Sequence, residues 1–193
     1  MSSIRVLPVT EHRRARWRNG LGWTTQIHAE PSDLDWSWRL SLAESDATAA
    51  FSSFPEVDRE LILVSGSGLR LTSPGAAAVT LRSGQSHRFA GEQEVEGEPL
   101  GGPTRQLNVM WRRQGLSAAV TLHHSPESLT LPGDAGAQVA VHAIAGGAAI
   151  EVVDDTAELH QGETALVDGP TGPVVIRLTG VGVLAVVQLS ATR

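Results

Sequence analysis

Short runs of β-branched and aliphatic residues, each closed by Gly, Pro, Asp or Ser, recur from end to end of this chain and point to many short strands. Leu61-Ile62-Leu63-Val64, residues 139–144, residues 174–178 and residues 183–189 are the clearest. A helix needs apolar residues every three or four positions, and that period is poorly kept here. Only a short turn around Thr10–Arg14, with Thr10 as its cap, and a piece near Ala43–Ala49 read as helical, neither longer than about two turns. Twenty Gly and ten Pro lie between the runs and supply turns. The pattern predicts an all-β chain built as an antiparallel sandwich or barrel.

The turn glycines suggest that this unit occurs twice. Gly66 and Gly84 are 18 residues apart, and Gly146 and Gly162 are 16 apart; from each pair to the next strand, at Leu107 and Leu184, the spacing is 23 and 22. Composition changes at the expected junction. All 15 basic residues are Arg, and 13 of them stand before residue 114 with 13 acids, whereas the remainder holds 2 Arg and 8 acids. The five Trp and three Phe, the only aromatics, all lie between Trp17 and Trp111. The expected domains are 1–113, with the chemistry, and 114–193, a plainer acidic unit.

The chain has no Cys, which excludes a disulfide framework, Cys-ligated zinc, an iron–sulfur cluster and a cysteine nucleophile. Its start, Met1-Ser2-Ser3-Ile4-Arg5, lacks the apolar core of a secretory signal, and no run approaches the ~20 apolar residues of a membrane span. A cytoplasmic protein without membrane contact is expected. A net charge of −6 argues against a nucleic-acid partner, although His12-Arg13-Arg14-Ala15-Arg16-Trp17-Arg18 is locally basic. Of the seven His, five are isolated, and His123 and His124 point to opposite faces of a strand, so neither a metal site nor a cofactor is expected.

Three clusters are too polar and aromatic to be strand filler. In Trp17-Arg18-Asn19-Gly20-Leu21-Gly22-Trp23-Thr24, Asn19-Gly20 signals a tight turn and Gly22 allows a second unusual backbone angle. The cluster is either a plain hairpin or a binding loop presenting Trp17 and Thr24. In Trp36-Ser37-Trp38-Arg39-Leu40-Ser41-Leu42-Ala43, alternation puts Trp36, Trp38, Leu40 and Leu42 on one face and Arg39 between Ser37 and Ser41 on the other. That second face either recognises an anion or is solvated. In Phe51-Ser52-Ser53-Phe54-Pro55-Glu56-Val57-Asp58-Arg59, Arg59 beside a Phe-lined wall suits bidentate recognition of a carboxylate. The alternative is a salt bridge from Asp58 or Glu56 that closes the loop.

Taken in order, Trp17-x-Asn19-Gly20-x-Gly22-x-Thr24, Trp38-Arg39-x-Ser41-x-Ala43 and Phe51-Ser52-x-Phe54-Pro55-x-x-Asp58-Arg59, followed by Gly66-x-Gly68, Phe89-Ala90-Gly91 and Leu107-Asn108-Val109-Met110, resemble the HutD/Ves family. The resemblance covers roughly residues 5–113. It implies a bicupin, two cupin-type β-barrels or jelly rolls in one chain. It also implies a non-catalytic regulator of bacterial histidine utilisation that senses an anionic metabolite such as urocanate or N-formylglutamate. Carried over residue by residue, the pocket is lined by Trp17, Asn19, Thr24, Arg39, Ser41, Phe51, Ser52, Phe54, Asp58, Arg59 and Asn108, with Arg59 as carboxylate anchor. Departures stand at Arg18, Glu56 and Gln106, where the family commonly carries Lys, Gly and Asp; the Ves-type branch is associated with stress instead.

Two other readings stand beside this one. The first is a metal-free isomerase or lyase acting on a small carboxylate, with Asp58 or His87 as base. The second makes the acidic, ring-free second barrel the surface for a homodimer or another partner.

Overall fold

Where apolar and polar residues alternate between turn residues, this chain forms strands, seventeen among the residues described, with one 3-10 turn and no α-helix. The structure is a computed structural model, and it describes residues 3–17, 22–124, 128–134 and 136–192. In chain order the strands are β1 (Ile4–Leu7), β2 (Arg13–Arg16), β3 (Trp23–Pro31), β4 (Trp36–Ser45), β5 (Ala49–Ala50), β6 (Val57–Ser65), β7 (Leu69–Thr72), β8 (Val79–Leu81) and β9 (Ser86–Ala90). They continue with β10 (Glu96–Pro99), β11 (Thr104–Arg112), β12 (Leu116–His124), β13 (Ser128–Leu131), β14 (Ala137–Val152), β15 (Asp155–Leu159), β16 (Thr164–Asp168) and β17 (Val174–Ala191).

Two compact units result, one of His12–Gln114 and one of Met1–Glu11 with Gly115–Arg193. The N-terminal strand β1 therefore falls outside the first unit, unlike in a division at 113. It pairs antiparallel with β16, Ile4 opposite Val167 and Leu7 opposite Thr164, and Ile4 and Val6 pack on that unit's core.

In the unit of residues 12–114, a six-stranded sheet runs β2-β3-β4-β11-β6-β9 and a four-stranded sheet runs β5-β10-β7-β8. Leu61 and Leu63 of β6, Leu69 and Leu71 of β7, Leu81 of β8 and Phe89 of β9 form one buried cluster with Val95. Full burial of each such side chain contributes about 1.5–3 kcal/mol. On the other face of the six-stranded sheet Trp38, Leu40, Ile62, Leu107, Val109 and Trp111 are buried as well.

The second unit is one seven-stranded sheet, β1-β16-β14-β17-β12, with β13 on β17 and β15 on β14. Its long strands β14 and β17 are bulged between Ala143 and Gly147, and residues on both sides of the bulge, such as Val141 and Ile150, join one core cluster. Among the described residues no pairing path returns to its first strand, so the sheets are open and not the closed barrels expected.

A turn recurs in the two units with the same hydrogen bonds. Gly84 N donates to Leu63 O (2.8 Å) and Leu63 N to Gln85 O (3.0 Å); Gly162 N donates to Ala143 O (2.7 Å) and Ala143 N to Glu163 O (3.0 Å). Both glycines hold the left-handed conformation, with φ 82° and 88°. The Gln85 and Glu163 side chains each accept from the backbone N–H three residues earlier, at 2.9 Å.

One helical expectation is shortened and the other gives way to strand. Around Thr10 there is only the turn Val9–Glu11, because the next residues pair with β3, Arg13 opposite Gln26. Ala43 to Ser45 finish β4, whose backbone groups are taken up by β3 on one side and β11 on the other.

Candidate functional site

The six-stranded sheet turns every second residue of its four central strands to one side, and that side opens on a cavity of about 270 Å³. β3 contributes Thr24 and Gln26, β4 Arg39, Ser41 and Ala43, β11 Gln106, Asn108 and Met110, and β6 Arg59 and Leu61. Pairing arranges them in rows. Ser41, Asn108 and Leu61 stand side by side, and Arg39 and Arg59 flank Met110, which puts their Cα atoms about 10 Å apart. Phe51, Ser52 and Phe54, from the segment between β5 and β6, and Ala15, Arg16 and Trp17 complete the wall with Asp33, Leu34 and Trp36.

Arg59 is 6% exposed. Its Nη2 donates to Asn108 Oδ1 at 2.8 Å, and its Nε has no acceptor among the described residues. Its guanidinium carbon lies 4.9 Å from the ring centre of Phe89, 5.1 Å from Phe51 and 6.0 Å from Phe54. No carboxylate among the described residues stands within ion-pair distance of it. Burial, and then the neighbouring charge of Arg39, push it down from the ordinary arginine range to about 10, so it remains a cation at neutral pH. Arg39 stacks over Trp36 and Phe54, at 5.6 and 5.7 Å.

Backbone contacts hold the aromatic wall. Phe51 N donates to Val95 O (2.8 Å), Phe54 N to Gly91 O (2.8 Å) and Gly91 N to Val57 O (2.6 Å). Trp17 stands edge-on to Phe51 at 6.0 Å, and its Nε1 donates to Trp23 O at 2.9 Å. Gly22 serves this corner through its missing side chain, and not through the unusual backbone angle expected of it. A Cβ there would lie 2.8 Å from the Trp17 ring.

Of the eleven residues assigned by resemblance, nine line the cavity: Trp17, Thr24, Arg39, Ser41, Phe51, Ser52, Phe54, Arg59 and Asn108. Asn19 lies outside the described residues. Asp58 is not in the lining. It precedes Arg59 on β6 and so faces the other way, where its Oδ1 accepts from Arg113 Nε at 2.7 Å. Arg113 also binds Glu92 (2.6 Å) and Val57 O (3.0 Å), and this holds the Glu92 carboxyl below the usual range. The salt-bridge reading of the third cluster is thus realised by Asp58, with Arg113 as its partner, while Arg59 is buried on the opposite face of the same strand.

His87, the other base weighed, stacks on Phe89 at 5.8 Å and is also outside the lining. Trp36 leaves the face of Trp38 and packs with Val57, Met110 and Phe54 on the cavity side. The sequence reading missed Gln26, Gln106 and Met110 as lining. Period-two alternation from Thr24 and Asn108 points to all three, once those strands are known to face the cavity.

Among the described residues no three His, Asp or Glu side chains gather where they would hold a metal ion. A divalent cation needs several imidazole or carboxylate ligands, and a cavity lined by three arginines, hydroxyls, amides and the one carboxylate of Asp33 does not fit one. It fits an anion. Also among the described residues, no helix is long and apolar enough to cross a membrane.

The HutD family model matches residues 9–186. The chain belongs to the HutD family. This HutD-family chain is 32% identical over 116 residues to an uncharacterized 21.2 kDa protein of the hutC 3' region of Pseudomonas putida, covering 59% of the chain and 61% of that protein. It is 37% identical over 105 residues to protein Ves of Cronobacter sakazakii, covering 54% and 58%. The chain thus spans about three-fifths of the length of the curated relatives it matches.

Solved structures extend the likeness over nearly all of the HutD-family chain. A conserved protein of unknown function from Pseudomonas aeruginosa superposes with TM-score 0.89 at 26% identity, covering 97% and 98% of the two chains. HutD from Pseudomonas fluorescens, from a formate condition, gives 0.82 at 25%, covering 98% and 100%. A cupin 2 conserved barrel domain protein from Leptotrichia buccalis, 12% identical with TM-score 0.57 and 88% of both chains covered, shows that the fold is cupin-like.

Proposed function

We propose that this HutD-family chain is a non-catalytic, bicupin sensor of a small anionic metabolite of histidine utilisation, such as urocanate or N-formylglutamate. The observation that carries the reading is Arg59, a buried guanidinium walled by Phe51, Phe54 and Phe89 and steadied by Asn108, with no carboxylate of the described chain opposite it. A charge of that kind is costly to bury and is compensated when a ligand carboxylate takes its donors. Arg39, one strand beyond Met110, adds a second positive charge to the same cavity.

The two-cupin arrangement is supported by the recurring Gly84 and Gly162 turns, one in each unit. The link to histidine utilisation is supported by the names of the relatives, HutD and the hutC-region protein. Titration calorimetry of the purified chain with urocanate and with N-formylglutamate tests the reading. Binding of at least one, lost in Arg59→Ala, is expected. Binding of neither, or an affinity that Arg59→Ala leaves unchanged, would sink it.

A further inference from the structure

On β11, four residues before Met110, which Arg39 and Arg59 flank, Gln106 is fully buried. Its Nε2 donates to Thr104 Oγ1 at 2.5 Å. The Thr104 hydroxyl spends its own hydrogen on Ser45 O, at 3.4 Å, and has only lone pairs to offer Gln106. With the amide nitrogen toward Thr104, Oε1 is left as a buried acceptor without a donor among the described residues. The positions opposite Gln106 on the neighbouring strands are Ala43 and Leu63, neither of which has a side-chain donor. A buried amide oxygen of this kind favours a donor brought by something else.

Gln106 lines the same cavity as Asn108 and Arg59. We propose that Gln106 is a specificity-determining residue that selects, among anionic ligands, those carrying a neutral N–H or O–H donor on the order of 7 Å from the carboxylate, the spacing of successive same-face residues on a strand. The inference rests on the reading of the cavity as an anion site. Charge sets the donor's character. Asp33 is the carboxylate residue in the described lining, and Arg13 (2.6 Å) and Gln26 (2.7 Å) already occupy it. An ammonium group beside Gln106 meets a neutral oxygen within a cavity that Arg16, Arg39 and Arg59 line, whereas an amide, imidazole or hydroxyl donor brings no charge to compensate. A ligand lacking the donor leaves Oε1 buried and unpaired, and a polar site discriminates most strongly against such an analogue.

Calorimetry with matched pairs tests this. Urocanate is compared with 3-(2-furyl)acrylate, and N-formylglutamate with its formyloxy ester; each second member keeps the outline and the carboxylates but lacks the N–H. Wild-type protein is expected to bind the N–H member about tenfold or more tightly than its partner. In Gln106→Met, of similar length but without the acceptor, the ratio should fall to about one. Circular dichroism and the melting temperature establish that this variant is folded, and Gln106→Leu provides a second if it is not. Equal affinities in the wild type, or a ratio that survives both substitutions, would overturn the role of Gln106 while Arg59-dependent binding stood. If neither pair binds at all, the anion site fails, and this inference with it.

Discussion

Arg59 gives one N–H to Asn108, at 2.8 Å, and its Nε has no acceptor among the described residues, inside a wall of three phenylalanine rings. The pair joins β6 to β11, 49 residues apart in the chain. It holds a cation in a place where the fold by itself gains little from one.

The first prediction concerns that pair. Asn108→Ala frees the guanidinium to turn and is expected to weaken urocanate binding about tenfold, the worth of one charge-assisted hydrogen bond. Replacing both, Arg59→Leu with Asn108→Leu, leaves no orphaned partner and removes a buried charge. Urea unfolding should then show a gain of about 1–4 kcal/mol, with binding abolished. A loss of stability in the double variant would mean that Arg59 serves the fold.

Alkaline titration isolates Arg59. The chain has no Lys, Tyr or Cys, so from about pH 9 to 11.5 no other side chain with an ordinary pKa releases a proton. Burial and Arg39 bring Arg59 down to about 10, whereas in the unfolded chain it holds its proton to well above that pH. Between the folded and the unfolded pKa the unfolded state binds more protons, so stability should rise with pH there. A bound carboxylate pulls the guanidinium back up and should abolish the effect. Melting temperatures from pH 9 to 11.5, with and without urocanate, read both. A wild-type curve no steeper than that of Arg59→Leu would rule the shift out.

Gly91 is predicted to be intolerant of any side chain. A Cβ there lies 2.5 Å from Phe54 O and 3.0 Å from Val57 O, both backbone atoms. Gly91→Ala must push the Phe54 segment off Arg59, so it should cost about 1–3 kcal/mol of stability and weaken ligand binding as well. Chemical denaturation and calorimetry of the one variant measure both effects. Intact affinity would show that the Phe54 segment is dispensable for binding.

Glu56 is the one non-glycine residue among those described with positive φ, at 63°. Glu56→Gly removes the clash of Cβ with the backbone, and even after the entropy cost of glycine it should stabilise by about 0.5–1 kcal/mol. Thermal denaturation checks this, and an unchanged or lower melting temperature would show that the Glu56 side chain contributes more than its conformation costs.

Much of the fold was legible because a strand's period is two and its breaks are chemically marked. Residues 61–64, 139–144 and 174–178 lie within β6, β14 and β17, and the turns at Gly84 and Gly162 fall where their spacing placed them. Ala43–Ala49 misled because alanine suits a helix by itself. Which of its backbone groups are taken depends on β3 and β11, and one of those is more than sixty residues away. Trp36 misled likewise, since alternation holds only inside a regular strand and Trp36 is its first residue.

By itself the sequence determined the strand count class, the turn positions and a cavity chemistry confined to guanidinium cations, because the chain contains no lysine. It also put Arg39 opposite its leucines, since neighbours on a strand must diverge. Only the tertiary structure decided which face would be buried around a cavity. It set Arg59 against Asn108, turned Asp58 out to Arg113 and left the Gln106 oxygen buried without a donor among the described residues. The physical reason is that each of these choices depends on pairing between strands distant in sequence. A side chain's period is local, but its partner, its burial and its charge environment are not.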